Sequence, residues 1–99
     1  MSEIIKRIKN PHDPRHCINV VQNRAGQCFY VSSRFTSDAG YETMVFLYDG
    51  AADEVVSWLE LYRKNYRTLN DMVKGHVAVC QDIDSYLDEY LEERMKHDK

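Results

Sequence analysis

Glycine and proline are scarce, four and two among 99 residues, and no stretch is dominated by either. The scattered glycines supply no Gly-rich loop of the kind that cradles phosphate groups. No apolar run approaches the roughly 20 residues needed to span a bilayer. The opening residues MSEIIKRIKN carry charges but no apolar h-region, so they do not read as a secretory signal, and the expected location is the cytoplasm. Cysteine is sparse and odd in number. Three thiols without a signal argue against a disulfide framework and leave buried thiols, metal ligands or reactive groups. Internal repeats, low-complexity tracts and domain linkers are all missing, so residues 1–99 are expected to form one domain.

The chain has the composition of a soluble globular domain, 43% apolar and 29% charged. Its net charge of -3 conceals an asymmetry. Residues 1–35 hold six bases and two acids, whereas 82–93 (DIDSYLDEYLEE) hold six acids and no base. Such an acidic run is either a solvated helix face or a surface offered to a basic partner, in which Asp84, Asp88 and Glu92 would be the contacts. A direct nucleic-acid binder would more often be basic overall.

Local patterns divide the chain into three parts. Pro11 and Pro14 bracket His12 and Asp13 and bar a regular helix there, so residues 1–16 are expected to be an irregular arm. CINVVQ reads as a strand, NRAG as a turn and QCFYVSSRF as a second strand, with Phe29, Val31, Ser33 and Phe35 on one face. YETMVFLY is a third strand. EVVSWLELYRKNY fits a helical stripe or a strand face, and Asp49-Gly50 before it favours a fourth strand. These strands make a meander over 17–66. Thr68 can cap a helix, with Asp71 at the capping-box position. Leu69, Met72, Val73, His76, Cys80, Ile83, Leu87, Tyr90, Leu91 and Met95 then recur at helical spacing, predicting one amphipathic helix of about seven turns over 68–95. The fold class is α+β: a small antiparallel sheet of three to four strands packed against one long C-terminal helix.

Two short clusters hold three of the four histidines and two of the three cysteines: HDPRHC (His12, His16, Cys17) and GHVAVC (His76, Cys80). His76 and Cys80, four residues apart on one helix, point the same way and could chelate one ion. A structural zinc site needs four ligands, usually sulfur or imidazole nitrogen. Cys17 and either His12 or His16 could complete it, although His16 and Cys17 would point to opposite faces if both lay on a strand. Cys28 is excluded, because a tight NRAG turn leaves Cys17 roughly 13 Å away. The alternative is structural: His76 and Cys80 lie in the apolar stripe, where a cysteine is often a small hydrophobe. No enzyme is expected. A Cys-His pair can make a thiolate, but no orienting group, oxyanion feature or glutamate base accompanies this one. The seven tyrosines either pad the core edge or anchor a protein interface.

ETMVF (Glu42–Phe46), WLEL (Trp58–Leu61), YRT (Tyr66–Thr68) and Gly75-His76 together resemble small bacteriophage-encoded proteins with an E-T-M-V-F strand, a W-x-E-L segment, a Y-x-T helix start and a G-H pair. The resemblance covers about a third of the chain and implies a phage or mobile-element origin without implying an activity. In size, acidity and Cys/His pairing the chain is also similar to zinc-containing anti-CRISPR inhibitors of the Cas9 nuclease, with which it shares no motif. That similarity implies a zinc-stabilised protein, acting in the host bacterial cytoplasm, that binds and blocks Cas9 without turnover. The rival expectation is a zinc-stabilised nucleic-acid-binding or regulatory module using the basic residues Lys6, Arg7, Lys9, Arg15, Arg24 and Arg34.

Overall fold

Alternating apolar residues from Cys17 onward pair as expected, but the sheet begins earlier and the helix breaks. A computed structural model describes residues 2–97; Met1 and residues 98–99, the ends of the expected domain, lie outside the described residues. The elements are β1 (Glu3–Ile8), β2 (Cys17–Gln22), β3 (Cys28–Thr36), β4 (Gly40–Asp49), β5 (Glu54–Val55), β6 (Tyr62–Tyr66), α1 (Leu69–Gln81) and α2 (Ile83–His97). The class is α+β, with a six-stranded antiparallel sheet in the order β1-β2-β3-β4-β5 and β6 also pairing with β4. Both β5 and β6 are antiparallel to β4, at Tyr48↔Val55 and Val45↔Tyr62, and the segment between them leaves the sheet.

The two faces of β3 build two cores. One face contributes Phe29 and Val31, which pack with Val21, Val45 and Tyr62 beneath Val79, Cys80 and Ile83 of the helices. The opposite face carries Cys28 and Tyr30, which gather with Val20, Tyr48, Ile8 and Val55. Trp58 lies over this second cluster, edge-on to Phe46 at 5.1 Å and to Tyr30 at 5.9 Å, while remaining 69% exposed. The sheet curls until its edges approach: Lys6 on β1 ion-pairs at 2.8 Å with Asp53, in the turn between β4 and β5. Asp53 holds a left-handed backbone (φ 58°), which disfavours most side chains. Its carboxylate also accepts from the Tyr48 hydroxyl. Two partners thus fix a residue whose backbone alone would not choose that shape.

Three expectations need correction. The segment before Pro14 is not all irregular, because residues 3–8 form β1 against β2, with a register shift between Ile4 and Lys6. The sheet has more than three to four strands. The stripe from Leu69 to Met95 is not one helix, since α1 ends at Gln81 and Asp82 leaves helical geometry (φ -147°, ψ 62°). Ser2 holds the break: its hydroxyl donates to the Cys80 carbonyl at 2.6 Å and accepts from the Ile83 amide at 2.9 Å. One residue near the start of the chain thereby satisfies orphan groups of both helices. No helix among the described residues is long and apolar enough to cross a membrane.

Candidate functional site

The two Cys/His stretches meet at one end of the sheet, where β2 enters beside β3. Cys17 pairs with Ser33 and Ile18 with Ser32, so the adjacent serines face opposite sides of the sheet. On the helix side, His76 of α1 is 4% exposed and hydrogen-bonded through both ring nitrogens. Its Nε2 lies 2.7 Å from Asn19 Oδ1, an acceptor, so this nitrogen carries the proton. Nδ1 then accepts from the Ser33 hydroxyl at 2.6 Å, and Ser33 accepts from Thr43 Oγ1 at 2.6 Å. The chain Thr43–Ser33–His76–Asn19 is satisfied at each joint only with a neutral imidazole. Burial, reinforced by His16, pushes the His76 pKa down to about 4.

Gly75 sits beside this network for a steric reason. A Cβ there would meet the Tyr66 hydroxyl and stand 2.5 Å from two carbons of its ring, well inside van der Waals contact. The Tyr66 hydroxyl is buried, and burial pushes its pKa up against the opposing effect of the Thr43 hydroxyl beside it. The sequence pair Gly75-His76 therefore serves packing and polar satisfaction together.

His16 occupies the opposite face of the sheet. Its Nε2 contacts Ser32 Oγ at 2.6 Å, and its Nδ1 lies 3.0 Å from Asn10 Nδ2, an amide donor. Burial and then Arg34 lower its pKa. His12 is exposed on the arm. The Cys17 thiol points toward its own loop, 3.8 Å from the Arg15 carbonyl. Cys80 is 1% exposed, and burial followed by the nearby Cys17 pushes its thiol up to about 12.

A metal ligand needs a free imidazole lone pair or a thiolate. The acceptor nitrogens of His76 and His16 are occupied by Ser33 and Asn10. Among the described residues, no group of three or more His, Cys, Asp or Glu side chains could hold a metal ion. The expected set His12, His16, Cys17, His76 and Cys80 is thus drawn into one region without being gathered around one point.

The acidic residues divide by role. Asp84, in the first turn of α2, accepts from Asn23 Nδ2 at 3.0 Å, tying the helix to the β2–β3 turn and complementing the positive helix end. Asp88 and Glu92 are exposed and ion-pair with nothing among the described residues. Every residue from Leu91 to Lys96 is exposed, including Leu91 at 58% and Met95 at 61%. The outer face of the last turns of α2 is therefore open to solvent. Inward-facing Tyr86 and Tyr90 pack against Tyr62 of β6, with ring centroids 5.8 and 5.5 Å from it. Sequence spacing found the tyrosines and the acidic stripe. It missed the polar roles of Asn19, Ser33 and Thr43, which depend on strand register. Compared with protein-family models, curated proteins and solved structures, the chain matches none.

Proposed function

We propose that the chain is a non-enzymatic binding protein that presents the outer, acidic face of α2 to a basic surface on a protein partner. The observation carrying this is the free end of α2: Asp88 and Glu92 are exposed without ion pairs among the described residues, beside the exposed Leu91 and Met95. Acidic groups steer a basic partner, and apolar side chains between them supply area to bury. Turnover has no place in this proposal, because Ser33 is fully buried where it donates to His76 and cannot meet a substrate. By the resemblance to anti-CRISPR inhibitors, the partner class is a host nuclease with a basic nucleic-acid channel, Cas9 first. The test is a titration of Cas9 cleavage, in which inhibition should be complete near one equivalent and weaken in high salt. No inhibition at large excess would remove Cas9 from the proposal.

A second reading, nucleic-acid binding or regulation, draws on a cavity of about 410 Å³ lined by Arg7, Lys9 and His16 together with Asn10 and Asp13. It requires DNA binding that falls steeply with salt. Absence of DNA binding at low salt would remove it.

A further inference from the structure

We propose that the sheet face opposite the helices binds single-stranded nucleic acid, stacking a base on Trp58 and taking phosphates along Arg34 toward Arg7 and Lys9. This rests on the nucleic-acid reading and assigns it a surface. Trp58, the sole tryptophan, makes edge-to-face contacts with Tyr30 (85°) and Phe46 (68°). It is 69% exposed, so a broad indole face stays open. Stacking there requires an unpaired base, because a base inside a duplex has no free face. Tyr30 and Arg34 lie on the same side of β3, roughly 13 Å apart along the strand. Arg34 stands opposite Glu42 in the sheet, yet the buried Glu42 carboxylate is met by Arg63 at 3.3 Å. Arg34 is therefore exposed without an ion pair among the described residues.

The face continues into the cavity beside the arm. Burial raises the Tyr30 pKa and lowers that of His16, and in each the Arg34 charge is the next influence, so the guanidinium lies near both groups. His16 in turn lines the 410 Å³ cavity together with Arg7 and Lys9, which have no ion pair among the described residues. A path thus runs from an open ring, past one arginine, to two further cations. The acids beside it are mostly engaged. Glu42 faces Arg63, Asp53 holds Lys6, and Glu60 keeps one carboxylate oxygen buried. Asp13, which accepts from the Arg15 amide, is the one acid lining the cavity. The acidic stripe of α2 belongs to the helix side, where Tyr86 and Tyr90 pack on Tyr62. The net charge of -3 is therefore not the charge of this face. Cations in line with an exposed ring match a ligand that alternates phosphates with flat bases.

The test titrates the full chain at low salt with an oligothymidylate of about twelve nucleotides. Trp58 fluorescence and the polarisation of a labelled oligomer are followed together. Polyphosphate, which carries the charge without the bases, is the control. Saturable quenching is expected with the oligomer alone. Trp58→Phe, which keeps a ring, should bind within about threefold of the parent, and Trp58→Ala about tenfold more weakly. Arg34→Gln should also weaken binding and reduce the salt slope by about 0.7. Thermal melts confirm that each variant is folded. Equal quenching by polyphosphate overturns the proposal. Absence of oligomer binding overturns it together with the nucleic-acid reading. Oligomer binding that survives both Trp58→Ala and Arg34→Gln overturns the face and leaves that reading standing. Cas9 inhibition lost in Trp58→Ala, with no oligomer bound by the parent, makes the face a protein contact and likewise overturns the proposal.

Discussion

His76 shows how much one side chain can demand of its surroundings. It is nearly fully buried, its Nδ1 must accept from Ser33, and protonation would place two donors against one another. The folded-state pKa near 4 lies below the unfolded value of 6.5, so between these values the unfolded chain binds a proton that the folded chain refuses. Stability contributed by the neutral histidine is therefore complete above about pH 6.5 and is lost as pH falls toward 4. The loss should be about 3 kcal/mol, and His16, shifted in the same direction, adds to it. Urea melts at pH 7 and pH 4.5 measure this, and His76→Gln should flatten the slope while lowering stability at pH 7. A second residue-scale outcome concerns Gly75. Alanine normally favours a helix interior, yet Gly75→Ala should destabilise by about 1–3 kcal/mol because its methyl group meets Tyr66. Tyr66→Leu should relieve most of that cost, and a double-mutant cycle of thermal melts reads the coupling.

At the scale of elements, Ser2 decides where one helix becomes two. Its two hydrogen bonds span the junction, so Ser2→Ala should cost about 1–2 kcal/mol and raise hydrogen exchange at the Ile83 amide before the α1 core. The same contact explains what could be read in advance. Residues 72, 76, 80 and 83 keep helical spacing across the break because α1 and α2 cover one continuous apolar surface, so periodicity alone joins them. The interruption comes from a hydroxyl some eighty residues away, to which no local pattern points. The strand over residues 17–22 was legible because Ile18 is buried and Val20 and Val21 are fully committed to the two cores. β1 was not, since Ile4 and Ile5 are both about half exposed and lack the alternation of a half-buried strand. Residues 54–66 were ambiguous for a related reason. They are two short strands on β4 separated by a segment that exposes Trp58 and Leu59, and no single period describes both pieces.

For the molecule as a whole, the Cys/His clustering visible in the sequence marks a real meeting of the arm, β2 and α1. Strand register then decides the chemistry, sending His16 to Ser32 on one face and His76 to Ser33 on the other. The fold as described needs no metal to satisfy either histidine, so a chelator should leave the melting temperature unchanged. One equivalent of zinc by elemental analysis, lost together with stability in Cys80→Ser, would mean that His76 exchanges Ser33 for a metal.

The claim that α2 is a protein-binding face belongs to the same scale, and its sharpest test separates charge from fold. Asp84 is left in place because it holds Asn23, whereas Asp88→Lys with Glu92→Lys alters exposed positions that should cost little stability. Cas9 cleavage titrated with the parent chain and with this folded double variant is the deciding measurement. The expected result is inhibition by the parent that is complete near one equivalent, with the variant needing at least about tenfold more protein, consistent with the loss of steering and of close charge pairs. Equal inhibition by the two proteins, or full inhibition by the parent at a small fraction of one equivalent, would contradict it.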